Sequence, residues 1–287
     1  MRYIIEHETV LTYPEAVREH HIELRLTPRE DSHQHLLTHS IQMDPEIPLR
    51  SYTDCFGNLV NYGNLIAPNS RLVTRMRAEV ENTLENPFDY TAIEPGEERD
   101  WLRKNLQQTP RLYDYILSRS ASTPNLDQLA DKFDFPRHEA RKSILESIQD
   151  AMVWIAATLR YETGATEVHS SLAEALNNGA GVCQEFAHLL IAIVRSWKIP
   201  ARYVMGYLAS NESDNNIIAS ETHAWTEVMI PGRGWTGFDA TQQVLVNHLF
   251  IPVAVGRDSH DAAPQRGSFK GDVPGEKPEV TLRISQQ

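Results

Sequence analysis

Cysteine is almost missing from this chain of 287 residues, which has only Cys55 and Cys183, far apart in sequence. That rules out a disulfide-dense scaffold and fits a reducing compartment. Long apolar runs are missing too, and none approaches the roughly 18 residues a membrane span needs. The opening MRYIIEHETVLTYPEAV carries charges where a signal peptide needs an uninterrupted apolar stretch, so the expected location is cytoplasmic and no membrane partner is expected. Positive charge is in short supply, with 27 basic residues against 39 acidic ones and a net charge of -12. A nucleic-acid or anionic-membrane partner is therefore not expected. No internal repeat or long low-complexity segment occurs. What is present is 41% apolar residues with 5 Trp, 8 Phe and 10 Tyr, enough for large cores.

Residues 1 to about 82 read as strands. RYIIEHETVLTY, REHHIELRLT, HLLTHSIQM, NLVNYGNLI and RLVTRMRAEV are rich in β-branched and aromatic residues and are separated by Pro, Asp, Asn and Gly. Short strands at this spacing predict an antiparallel β-sandwich. DCFGN, at 54–58, reads as a turn in which Gly57 supplies a positive φ and Cys55 has a structural role. Six histidines in this part, His7, His20, His21, His33, His35 and His39, alternate along strands and are expected on solvated surfaces.

After ENPFDYTAIEPGEE the pattern becomes helical, which divides the chain into 1–85 and 86–287. Ile144, Ile148, Met152, Ile155 and Leu159 recur at helical spacing and mark one packed face. SSLAEALNNGA reads as a short helix ending in a left-handed cap, and a second long helix begins near Cys183 and stops before Pro200. ARYVMGYLA, HAWTEVMI, GWTGFDA, HLFIPVAVG and EVTLRIS then read as strands, giving an α+β unit. The polar stretch 210–221 reads as a loop, and the Gly- and Pro-rich tail 261–278 as a surface run.

In GAGVCQEFAHLLIAIVRSW, Cys183 follows a glycine-rich approach and opens a helix. A first-turn thiol gains from the unsatisfied N–H groups and the dipole, which favour its anion. Gly181 lets a substrate backbone come close, and the Cys183 N–H is a candidate oxyanion donor. The alternative is a small core residue, which most free cysteines are. A reactive thiolate needs a base and a group to orient it.

The candidates are His223 and Asp239, in ETHAWTEVMIPGRGWTGFDAT, and the register of that hairpin decides whether they meet. A four-residue loop at 231–234 would set Asp239 opposite Thr226, facing away from His223. A three-residue loop, PGR, pairs Ile230 with Gly234 and sets Asp239 opposite Trp225, on the face of His223 and diagonal to it, within reach of a hydrogen bond. Three-residue loops commonly place glycine in the left-handed region, and Gly232 and Gly234 supply it. Trp225 shares this face and either shields the imidazole, lines an acyl pocket or is plain core. Glu185 either tunes the site or caps the helix. His188 is five residues past Cys183, off its helix face, and reads as structural. A zinc site from Cys183, His188 and His223 lacks a second nearby cysteine or an HxxxH pair, and no EF-hand loop is present, so no metal or cofactor is expected.

Three ordered blocks, GVCQEFAHLLIAIVRSWKIPARYVMGYL, THAWTEVMIPGRGWTGFDAT and HLFIPVAVGRDSHDAAPQRGSFKG, resemble the core of the bacterial transglutaminase-like superfamily of cysteine-protease type. LTYPEAVREHHIELRLTPR and DCFGNLVNYGNLIAPNSRL resemble the β-domain that precedes it. The resemblance implies an N-terminal antiparallel β-sandwich followed by a papain-related helix-plus-antiparallel-sheet core. It implies Cys183 as nucleophile, His223 as general base and acid, and Asp239 as the orienting carboxylate, with Gly181, Gln184 and Trp225 around them. Relatives often carry Arg-Asp after the cysteine and Pro after the aspartate, where this chain has Gln184-Glu185 and Ala240, a difference that bears on substrate preference. The expected activity is hydrolysis of peptide or related amide bonds in a peptide or protein through a thioester. Transamidation and a silent binding or scaffold protein are the alternatives.

Overall fold

In the computed structural model, which describes residues 1–164, 171–209, 217–219, 222–271 and 278–287, the first strand organises the amino-terminal half. β1 (Arg2–Leu24) is 23 residues long and its pairing breaks between Thr12 and Val17. Its first part pairs with β5 (Asn69–Asn82), which in turn pairs with β2 (Gln34–Asp44). Its second part pairs with β4 (Leu59–Leu65), itself joined to β3 (Arg50–Thr53). Two antiparallel layers thus share one strand. Alternation fixes their faces, with Tyr3, Ile5, Ile22 and Leu24 buried. The turn at 54–58 forms as its residues dictate: Asp54 Oδ1 accepts from the N–H groups of Phe56 and Asn58, and Gly57 has φ +82°. Cys55 is exposed there and unpaired with Cys183.

The helical segment opens with α1 (Pro95–Gln108) and a single turn, α2 (Asp114–Leu117). α3 (Ile144–Thr158) starts at a Ser143/Glu146 capping box and buries Ile144, Ile148, Met152 and Ile155, the face expected from their spacing. β6 (Arg160–Tyr161) pairs in parallel with β7 (Ala180–Gly181), which follows α4 (Leu172–Asn178) and its left-handed cap Gly179, φ +62°. α5 (Cys183–Ser196) comes next.

The second sheet is antiparallel and contains β8 (Ala201–Leu208), β10 (His223–Ile230), β11 (Gly234–Asp239), β12 (Val244–Leu245) and β13 (Phe250–Gly256), in the order β12-β11-β10-β8-β13. α5 packs on one of its faces, where Thr226 Oγ1 donates to Ala187 O at 2.9 Å. Between β8 and β10 in the chain comes β9 (Ile217–Ala219), which belongs to the other sheet, while most of the expected loop at 210–221 falls outside the described residues.

The end of the chain differs from the sequence reading. β14 (Gln265–Lys270), inside the tail expected to run over the surface, pairs with the second part of β1. β15 (Glu279–Gln286) pairs with its first part and with β9. The sheets of the amino-terminal region are therefore completed from beyond residue 85. Pairing between strands some 250 residues apart leaves no local trace, and loop-like composition masked β14. One apolar cluster runs from Tyr3, Leu24 and Met76 to α3 and α5. The β13 edge is covered by side chains of the first 82 residues: Gln34 donates to Pro252 O, Asn82 to Phe250 O, and Asn58 both donates to Val255 O and accepts from Val255 N at 2.8 Å. Among the described residues no helix is long and apolar enough to cross a membrane.

Candidate active site

Cys183 occupies the first turn of α5 because the chain before it is tightly constrained. The buried Glu185 carboxylate accepts from Val182 N at 2.9 Å, so Glu185 caps the helix. A Cβ at Gly181 would lie 2.9 Å from Glu185 Cβ, so glycine makes room for that cap. Cys183 itself is half-buried at the rim of the core.

The hairpin has the register that brings His223 toward Asp239. Ile230 pairs with Gly234 and Thr226 with Phe238, the three-residue loop is Pro231 to Arg233, and Gly232 and Gly234 have φ of +79° and +92°. His223 Nε2 and Asp239 Oδ2 are 2.8 Å apart. Asp239 is wholly buried, and its Oδ1 accepts from Thr241 N at 2.8 Å and Gln242 N at 3.3 Å. Ala240 in place of proline leaves these bonds in being, since the donors lie beyond it.

Cys183 is the other neighbour that acts on the His223 ring. With Nε2 taken by Asp239, Nδ1 is the nitrogen left for the thiol. Burial alone would lower the His223 pKa, but the hydrogen bond to Asp239 and the neighbouring Cys183, with the charges behind them, raise it to about 9. The ring therefore holds both protons at neutral pH, the state that stabilises a neighbouring thiolate.

Trp225 is fully buried beside it, with ring centroids 6.2 Å apart. It shields the imidazole and presents no surface to an acyl group. Phe250 stands 6.1 Å from His223 and edge-on to Trp225. The sequence reading missed Phe250, because its place depends on the pairing of β13 with β8. It also missed Gly206, where a Cβ would sit 2.5 Å from the Trp225 ring.

His188 is buried, accepts from Ser259 N at 3.1 Å and stacks on Tyr203, and burial lowers its pKa to about 3. It is a neutral packing residue. Among the described residues Cys183, His188 and His223 do not converge as metal ligands, whereas Asp258, His260 and Asp261 do. Asp261 there is held by the Arg257 guanidinium at 2.7 Å. Of the six amino-terminal histidines, His21, His33, His35 and His39 are exposed, but His7 and His20 are buried, contrary to expectation. His7 bonds to Tyr207 and Thr9, and His20 packs on Tyr13.

A groove of about 1480 Å³ begins next to this cluster, lined by Gln184 and Thr222, the chain neighbours of Cys183 and His223, and by Tyr203. Of the sequence candidates, Cys183, His223 and Asp239 come together, Gln184 faces the groove and Trp225 backs the histidine, while Gly181 is buried and makes room for the Glu185 side chain rather than for a substrate backbone.

An α+β protein with a cysteine at a helix start and a His–Asp pair on the adjoining antiparallel sheet defines a class by its fold. The transglutaminase-like superfamily model matches residues 128–240, and the bacterial transglutaminase-like N-terminal region matches 3–81. An uncharacterized protein of Mycobacterium leprae is 31% identical over 275 residues, 94% of each chain. A crystal structure of a candidate cysteine protease from Cytophaga hutchinsonii shares the fold, with TM-score 0.72 and 22% identity over 100% of this chain and 98% of that one. A protein-glutamine gamma-glutamyltransferase of Pseudomonas aeruginosa is 34% identical over 86 residues, 29% of this chain and 12% of its own length. The chain belongs to the transglutaminase-like superfamily.

Proposed function

We propose that the protein is a cysteine-dependent amide-bond enzyme with Cys183 as nucleophile, His223 as acid and base, and Asp239 as the residue that orients and charges the imidazole. One observation carries this reading: His223, hydrogen-bonded to the buried Asp239 carboxylate at 2.8 Å, stands beside the thiol at the start of α5. The thiolate attacks a carboxamide carbon, and the oxygen takes the charge beside the helix N–H groups. His223 gives its Nδ1 proton to the leaving nitrogen, the C–N bond breaks, and a thioester remains. The now neutral imidazole takes a proton from water as the water attacks, and the acid product leaves as the thiolate and imidazolium re-form.

The substrate is a peptide or protein, and hydrolysis is the reaction this reading favours. Transamidation, with an amine in place of water, is the second reading, supported by the similarity over 86 residues to a protein-glutamine gamma-glutamyltransferase. The test is incubation with unfolded casein, with and without dansylcadaverine, following both cleavage and dye incorporation. Cleavage lost in Cys183→Ala, whose thermal unfolding is unchanged, supports the reading. Dye incorporation without cleavage selects transamidation, and activity retained in the folded variant rejects the nucleophile.

A further inference from the structure

From the groove beside the thiol we infer a binding site for an extended polypeptide bearing an acidic side chain, held along the free edge of β14. This rests on the proposed catalytic role of Cys183 and names the substrate class of that site.

Three observations lead there. The first is size and continuity: about 1480 Å³ exceeds the roughly 300–1,000 Å³ of small-molecule sites. The groove runs from Gln184 and Thr222, the chain neighbours of Cys183 and His223, to Arg266 and Ser268 on β14. The second is the edge. Among the described residues β14 pairs only with β1, His21 opposite Ser268 and Glu23 opposite Arg266. Its other side offers backbone N–H and C=O groups over six residues, about 20 Å of strand. An extended peptide satisfies such groups by adding as a strand.

The third is charge. Most charged groups in the groove are already answered by the protein itself. Asp261 is bound by Arg257, Glu23 by Arg25 and Tyr52, and Asp258 accepts from the N–H groups of His260 and Asp261. Among the described residues two guanidiniums form no ion pair, although the Asp127 charge acts on Arg119 from a longer distance, and Asp258 likewise has no cation in contact. Arg119 donates only to the carbonyls of Ile116 and Ser118, and Arg266 faces the ring of His260 at 3.0 Å. Among the described residues neither has a carboxylate partner within an ion pair's distance. In a protein of net charge -12 these are places where a substrate carboxylate is welcome. The loop that carries Arg119 is held from below: the buried Arg195 donates to Tyr115 O, Ser118 O and Thr123 Oγ1, and also to Arg257 O across the groove.

The experiment is protection of Cys183 from iodoacetamide in the full chain, read by mass spectrometry. The protectants are 12-residue peptides of Ser, Thr and Glu, the same length with Lys for Glu, and the Glu peptide with alternate backbone nitrogens methylated. The expected result is that the Glu peptide slows alkylation, the Lys peptide does so at least about tenfold less effectively, and methylation removes the effect. Arg119→Glu and Arg266→Glu should each weaken protection about tenfold while the rate without peptide stays as in the parent. Equal protection by all three peptides, or none by any, with Cys183 still alkylated rapidly overturns the groove proposal and leaves the nucleophile standing. Alkylation of Cys183 no faster than that of Cys55 overturns the catalytic reading and this proposal together.

Discussion

At the residue scale the centre of the proposed site is His223, held by the buried Asp239 carboxylate at 2.8 Å beside the thiol at the start of α5. Its pKa of about 9 sets the direction of the pH dependence. The imidazolium that pairs with a thiolate persists up to that value, so activity is lost as pH rises through about 9. Asp239→Asn keeps an acceptor for Nε2–H and removes the charge that raises the pKa. The alkaline limb of the rate profile should therefore move down by about a unit or more toward the ordinary histidine value near 6.5. A pH–rate profile on the purified variant measures this, and an unmoved limb would detach Asp239 from the proton transfer. The pairing of these two residues was legible in the sequence because hairpin register follows from loop length and glycine position. The role of Glu185 was only half legible. Two residues past Cys183 it could cap or tune, and the bond from Val182 N that decides for capping depends on how α5 enters the core.

At the element scale the site depends on how closely β8, β10 and β13 approach one another. His223 lies opposite Gly206, and a Cβ on Gly206 would stand 2.3 Å from Ile251 O and 2.5 Å from the Trp225 ring. Gly206→Ala must displace Trp225 and with it the wall behind His223. We expect a loss of about 1–3 kcal/mol in urea unfolding and a fall in turnover larger than any change in KM. Parent-like kinetics in a folded variant would mean that Trp225 does not position the histidine. The helices α3, α4 and α5 and the β10–β11 hairpin could be read from periodicity, caps and turn residues, since those signals lie within a dozen residues of one another, whereas α1 begins inside the stretch that reads as a linker. The seating of Phe250 could not, because it follows from a strand pairing that no local pattern records.

At the scale of the whole molecule the chain closes on itself. A division at residue 85 suits the change from strand-like to helical sequence, yet β14 and β15 return to β1 and one apolar cluster spans both parts. Removing residues 279–287 would bare the β1 edge from Tyr3 to Val10 and delete the buried side chains of Leu282 and Ile284. Each such side chain contributes about 1.5–3 kcal/mol. The truncated chain should unfold at markedly lower urea, with far-UV circular dichroism, tryptophan fluorescence and Cys183 reactivity changing together. Separate transitions for the sheets and the site would show two independent units instead.

Cys55 is an exposed free thiol in the same molecule and serves as an internal reference for Cys183. The most direct measurement is the alkylation of both by iodoacetamide at pH 6, resolved by peptide mass spectrometry. A thiol of ordinary pKa near 8.5 is there less than about 1% ionised. A thiolate held by His223 should make Cys183 react at least about tenfold faster than Cys55, and His223→Ala should abolish the difference. Equal rates at the two cysteines in the parent protein would contradict the assignment of Cys183 as the nucleophile.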